Sequence, residues 1–151
     1  MANNLIVKEK LLKRCIEIKE ETALNIQAAM DDAQQSANEY GPPKDRYDSF
    51  RAQLMRKRDM LGQQLAVVQE ELRYLHQFKS GTASSRAEPG ALVILSAQTL
   101  FISVGIGKVE LDGQIFYVIS PLVPLVEAMK NLKSGESFYF RGTKYEILEI
   151  C

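Results

Sequence analysis

Histidine is almost absent from this 151-residue chain, and His76 stands alone. A Ser-His-Asp triad or a His-rich zinc site is therefore not expected, and His76 is assigned to a helix surface. Cysteine is nearly as scarce. Cys15 and Cys151 form no metal-ligand spacing and suggest no disulfide framework. Charge of one sign is not in excess either, because 19 basic residues balance 19 acidic ones. That balance does not imply wholesale coating of nucleic acid. No apolar run approaches the roughly twenty residues of a membrane span. Met1-Ala-Asn-Asn opens the chain without a charged region leading into an apolar secretory core, so a cytoplasmic protein without a membrane partner is expected.

Proline and glycine are missing from Leu5 to Glu39, and that absence permits one long helix. Apolar residues recur there at heptad spacing. Leu5, Leu12, Lys19, Ile26 and Ala33 take one seam position, and Ile16, Ala23, Met30 and Ala37 take its companion. The other positions are largely Lys, Glu, Gln and Asp, which is the pattern of a coiled-coil strand. The seam shrinks to Ala at its far end, so a neighbouring helix can approach closely there. From about Asp45 to Phe78 the pattern returns, with Tyr47, Leu54, Leu61, Val68 and Leu75 joined by Leu65 and Leu72. Near its start the companion position holds Arg51 and Arg58 instead. Gly62 weakens this helix by about 1 kcal/mol relative to Ala without breaking it.

Between the two runs lies Glu39-Tyr-Gly-Pro-Pro-Lys-Asp-Arg-Tyr-Asp48. Two consecutive prolines end the incoming helix, and a short turn between matched helices makes an antiparallel hairpin. Each arm is expected to be roughly 50 Å long. Asp45-x-x-Asp48 then stands at the turn end, with Glu39 on the other arm. Two roles are open for these acids. Acids before and within a first helical turn cap N–H groups and suit the helix dipole. An exposed capping carboxylate also keeps lone pairs for a partner, so the hairpin could deliver charge at its tip. Behind the tip, Lys44 to Arg58 holds six bases against two acids. Arg46, Arg51, Arg56, Lys57 and Arg58 form a basic flank that could steer the hairpin to an anionic partner, or simply solvate a helix face.

Lys79-Ser-Gly-Thr-Ala-Ser-Ser-Arg-Ala-Glu-Pro-Gly90 is small, polar and aperiodic, the composition of a linker. Three parts are thus expected: a hairpin over 1–79, a linker over 80–90 and a second domain over 91–151. Ala91–Leu95 and Thr99–Val104 read as strands. Lys108–Leu111 and Gln114–Ile119 flank Asp112-Gly113, a type I′ hairpin signal. Leu122 to about Leu132 reads as a short helix turning Leu125, Ala128, Met129 and Leu132 inward, and Lys133-Ser-Gly135 closes it. Ser137–Phe140, Arg141-Gly142 and Tyr145–Ile150 make a last hairpin. The second domain is therefore expected to be an antiparallel sheet packing one short helix, and the whole chain is of the α+β class.

The order of these parts resembles the bacterial Gre transcript cleavage factors. At sequence level the likeness is best over Val123-Pro-Leu-Val-Glu-Ala-Met-Lys-Asn-Leu-Lys-Ser-Gly-Glu136 and the closing Tyr-Glu-Ile-Leu-Glu-Ile150. The Gre pattern there is similar to S-P-[IL]-G-x-A-L-[LM]-G-K-x-x-G-[DE]. Pro124, Leu125, Ala128, Met129, Gly135 and Glu136 match it, whereas Val123, Val126 and Asn131 replace Ser, Gly and Gly. At the tip Gre factors carry G-D-x-x-E-N-x-E-Y. Asp45-x-x-Asp48 keeps the spacing of the first two acids, Lys44 and Ser49 stand for the Gly and Asn, and the later Glu-Tyr pair has no match.

The resemblance implies an FKBP-like second domain that docks on RNA polymerase, with Pro121, Leu122, Pro124 and Leu125 as its contact surface. It implies that the hairpin enters the secondary channel towards the nascent RNA 3′ end. There Asp45 and Asp48, with Glu39 as a further candidate ligand, would share a Mg2+ with the polymerase and stimulate cleavage of backtracked RNA. The chain would then be no enzyme itself, would bind no cofactor tightly alone, and would act as a monomer. A channel-binding regulator without cleavage activity is the alternative within the family. Outside it stand an FKBP-like peptidyl-prolyl isomerase or chaperone, which needs an aromatic-lined cleft, and a coiled-coil oligomerisation module.

Overall fold

The computed structural model describes residues 2–39, 48–79 and 81–151. In chain order the elements are α1 (Ala2–Glu39), α2 (Asp48–His76), β1 (Leu92–Leu95), β2 (Thr99–Ile102), β3 (Gly107–Leu111), β4 (Gln114–Ile119), α3 (Pro124–Met129), β5 (Ser137–Phe140) and β6 (Thr143–Ile150). They fall into two compact units. Ile16–Tyr74 form one, and Met1–Cys15 join Leu75–Cys151 in the other. Both helices therefore change unit along their length, and their roots belong with the sheet.

In the hairpin unit, contacts pair rising residue numbers on α1 with falling ones on α2, so the helices are antiparallel. Lys19 Nζ donates to Glu71 Oε1 at 3.1 Å, Arg58 Nη1 to Gln34 Oε1 at 2.5 Å, and Arg51 Nε to the Ala37 carbonyl at 3.4 Å. Ala33, Ala37 and Val68 are buried. The shrinking seam thus does what its small residues permit, and Arg51 reaches the backbone of α1 beside Ala37. Tyr47 lies outside the described residues; the other seam positions of both runs are buried or half-buried, and His76 is exposed on α2 as expected.

The sheet unit carries six strands in the order β3-β4-β2-β1-β6-β5. It departs from the expected antiparallel sheet at one place, because β2 and β4 run parallel, with Leu100 opposite Tyr117 and Ile102 opposite Ile119. Adjacent strands in sequence do not always pair. The β3–β4 hairpin enters with β4 inward, paired to β2, and leaves β3 at the edge. The turn residues Asp112 and Gly113 have φ of 51° and 80°, and Arg141 and Gly142 have 51° and 79°. Positive φ at both positions is the I′ geometry that Asp-Gly encodes.

On one face of the sheet Val93, Leu95, Leu100, Ile102, Phe138 and Ile147 form a core with Val126 and Met129 of α3. This helix is shorter than the sequence suggested. Pro124 sets its first turn, where a missing N–H costs nothing, and Asn131 at φ 65° ends it. Val126, not Ala128, joins Met129 in the core. Ala128 is exposed. Within the same unit, Leu5 and Leu12 of α1, Phe78 and Phe101 of β2 line one cavity. The helix roots therefore lie over the sheet face opposite α3. Leu11, Cys15 and Leu75 of the same unit are wholly buried.

The stretch read as a linker is fastened along this unit over residues 86–90. Ala87 N–H donates to the Leu132 carbonyl at 2.8 Å, Asn131 N–H to the Ala87 carbonyl at 2.9 Å, and Gly90 N–H to the Ile102 carbonyl at 2.7 Å. Ala87 is 1% exposed. Gly90 has φ 91°, and a Cβ there would stand 2.9 Å from the Phe78 ring. Composition alone shows small polar residues, whereas main-chain hydrogen bonds hold the segment, and these leave no trace in side-chain chemistry.

Candidate functional site

Of the acids singled out at the tip, Glu39 is the last residue of α1 and is exposed. Asp48 is the first residue of α2. Asp45 and Arg46 lie outside the described residues. Among the described residues no group of three His, Cys, Asp or Glu side chains is placed to hold a metal ion.

The basic flank divides into two kinds of residue. Arg51 and Arg58 turn across the seam, to the Ala37 carbonyl and to Gln34, and Arg58 also pairs with Asp59 at 2.8 Å. They fasten the hairpin in the region where its apolar seam has given out. Arg56 and Lys57 point to solvent. Any attraction for an anion along this part of α2 rests chiefly on those two.

On the sheet unit, the four residues read as a docking surface are presented unequally. Leu122 is 88% exposed, the most exposed large apolar side chain described. Its N–H donates to Ser120 Oγ at 3.1 Å, and Val123 N–H donates to the Ser120 carbonyl at 3.3 Å. A turn closed by Ser120, between Pro121 and Pro124, thus holds Leu122 outward. Pro124 is exposed at the start of α3, Pro121 is half-buried, and Leu125 packs partly on the core. Ile115 and Tyr117 of β4, 46% and 36% exposed, share the α3 face of the sheet with this turn. Phe101, Phe116 and Phe138 are buried, and Tyr117 and Tyr139 lie on opposite faces.

Sequence reasoning did not single out Lys8. Its ammonium donates to the Thr82 carbonyl at 2.8 Å and the Cys151 carbonyl at 2.9 Å, beside a cavity of about 270 Å³. Burial pushes its pKa below the usual lysine value, and the charges at Cys151 and Glu88 pull it partly back. One turn earlier Asn4 donates to Glu149 at 3.0 Å. These ties tether the first turns of α1 to the sheet. The signal available was the i, i+4 spacing of Asn4 and Lys8 beside Leu5 and Leu12, a polar edge along an apolar stripe.

No family model matches this chain, and no curated protein matches it. Among solved structures it is similar to the GreA factor homolog 1 (Gfh1) protein of Thermus thermophilus. That likeness has 14% identity and a TM-score of 0.33, and it covers 95% of this chain and 94% of the other.

Proposed function

We propose that this chain is a transcription elongation factor that binds RNA polymerase and carries carboxylates on its hairpin towards the polymerase active centre. The observation that supports it most is the placement of Asp45-x-x-Asp48. By chain order it joins the end of α1 to the start of α2, on an antiparallel pair of long helices whose roots are built into a separate sheet unit. A helical pair of this length has little core of its own, and an exposed capping carboxylate at its turn keeps lone pairs for a partner. The resemblance of Val123–Glu136 and Tyr145–Ile150 to the Gre pattern points the same way.

In this reading the sheet unit docks, with Leu122 as an apolar anchor held by flanking prolines at low entropic cost. The hairpin is a reach, and Asp45 and Asp48 are its working end. Two carboxylates fit Mg2+, which takes oxygen ligands and keeps several waters; shared with the polymerase, it would supply an activated water beside the backtracked phosphodiester. The residues of this chain hold negative charge in place for that ion and orient it, while Glu39 adds charge from the other arm. The bond-breaking belongs to the polymerase, so the chain is no enzyme alone.

The test is RNA shortening in a stalled, backtracked elongation complex. Asp45→Asn and Asp48→Asn should leave polymerase binding nearly intact and abolish stimulation, because the amide keeps shape and loses charge. Asn caps a helix about as well as Asp, so under a capping role alone both variants should match the parent. If the parent competes with a cleavage factor and never shortens RNA, the tip is a plug rather than a stimulator. If neither variant alters any polymerase activity, the acids are caps and the reading fails.

A further inference from the structure

We propose that two copies of this chain pair through β3, antiparallel about Val109, to continue the sheet from one molecule into the next. β3 ends the strand order and has β4 as its single strand neighbour, so one side of its backbone meets no strand. Such an edge is a template for pairing unless something guards it. The usual guards are few here. The strand Gly107-Lys-Val-Glu-Leu111 has no proline, its pairing with β4 shows no register shift, and a Cβ built on Gly107 would meet nothing within 4 Å.

Two charges do stand on the edge, and their signs decide the matter. Lys108 and Glu110 flank Val109, are exposed, and have no ion-pair or hydrogen-bond partner among the described residues. A charge that guards an edge against its own copy must meet a like charge when the copies align. In an antiparallel pair centred on Val109, Lys108 lies opposite Glu110 of the second copy, and Glu110 opposite its Lys108. Directly opposed unlike charges favour a cross-strand pair, and like charges disfavour it. The edge is therefore self-complementary in this register.

The rows behind the edge agree with it. Tyr117 is in register with Lys108 and Ile115 with Glu110, and both are among the exposed large apolar side chains of the sheet. In the paired form the lysine stems of both copies lie near these two residues and cover part of them. Five residues per strand make a small contact, of the size that gives weak and concentration-dependent association. A monomer at low concentration is consistent with this.

The experiment is sedimentation equilibrium of the full chain from micromolar to millimolar concentration. The parent should pass from monomer to dimer within that range. Lys108→Glu and Glu110→Lys, each alone, set like charges opposite one another and should weaken the dimer at least about tenfold. An equimolar mixture of the two variants should dimerise again, because a strand with two glutamates then faces one with two lysines. The double variant K108E/E110K should self-associate like the parent, which separates loss of pairing from loss of folding. A parent that stays monomeric at millimolar concentration overturns the proposal. So does a single variant that dimerises as tightly as the parent, or a mixture that stays monomeric.

Discussion

Lys19 occupies a seam position otherwise filled by Leu5, Leu12, Ile26 and Ala33, and its removal is the most informative test of the hairpin. Its Nζ lies 3.1 Å from Glu71 Oε1, with side-chain exposures of 13% and 25%. At an effective dielectric constant of about 20 that separation corresponds to a gross attraction of about 5 kcal/mol. Desolvation of both groups and the ordering of two long side chains offset most of it. A coupling energy of about 1–2 kcal/mol should remain, above the 0–1 kcal/mol typical of exposed pairs. Lys19→Met should cost about 1–2 kcal/mol, because Glu71 keeps its charge in a half-covered site without its partner. Glu71→Met should cost a similar amount. Changing both together should leave stability within about 1 kcal/mol of the parent, since a well-packed apolar pair commonly equals a buried ion pair. Urea unfolding of the four proteins, followed by far-UV circular dichroism, closes the cycle. Additive single changes, with a coupling below about 0.3 kcal/mol, would refute the reasoning. The pair would then be an onlooker rather than the device that fixes which turn of α1 faces which turn of α2.

Gly62→Ala should stabilise the hairpin by about 0.5–1 kcal/mol, because the new Cβ lands 3.5 Å from Met30 Cε, an ordinary contact; an unchanged urea midpoint would contradict it. Asn131 sits at φ 65°, where Gly is at ease and a β-branched residue is strained. Asn131→Gly should be close to neutral and Asn131→Val should cost about 1–2 kcal/mol, measured by thermal unfolding. Lys8 has a folded-state pKa below that of the unfolded chain, chiefly through burial. Between the lowered value and 10.5 the unfolded chain binds more protons, so stability should rise with pH across that window. Tyr74, whose pKa burial raises, acts in the opposite sense near the same pH, so the rise should be read as the difference between the parent and Lys8→Met, and two parallel curves would count against the burial of Lys8.

Much of the architecture was legible from periodicity. The strand Gln114–Ile119 was read at its observed bounds, and Asp112-Gly113 announced its own turn because only certain residues accept positive φ there. The heptad positions of α2 place Val68 and Leu75 where the structure buries them. What periodicity could not show is burial caused by a third element. Leu11 and Cys15 lie off the seam as read, yet both are wholly buried, because the root of α1 belongs to the sheet unit. The parallel pairing of β2 with β4 was hidden for a similar reason, since local sequence marks a hairpin but not which of its strands turns inward. At the site, prolines 121 and 124 pointed to a rigid turn, and Leu122 is its exposed product. Lys8 was invisible because its partners are carbonyl groups, which every residue carries.

The discontinuity of the sheet unit bears on the order in which the chain acquires its structure. That unit is left unfinished at Cys15 and resumed at Leu75, so the tie between Asn4 and Glu149 cannot form until the last strand has been made. Left as a random excursion, residues 16–74 would impose the closure entropy of a long loop on every contact between the two parts. Zipping Ile16–Tyr74 into a hairpin first removes that excursion, because the heptad pairing draws its two ends together as a local event. The hairpin thus has a second consequence besides reach: it converts the most distant contacts of the fold into near neighbours, and weakening it should slow the assembly of a sheet to which it contributes no strand.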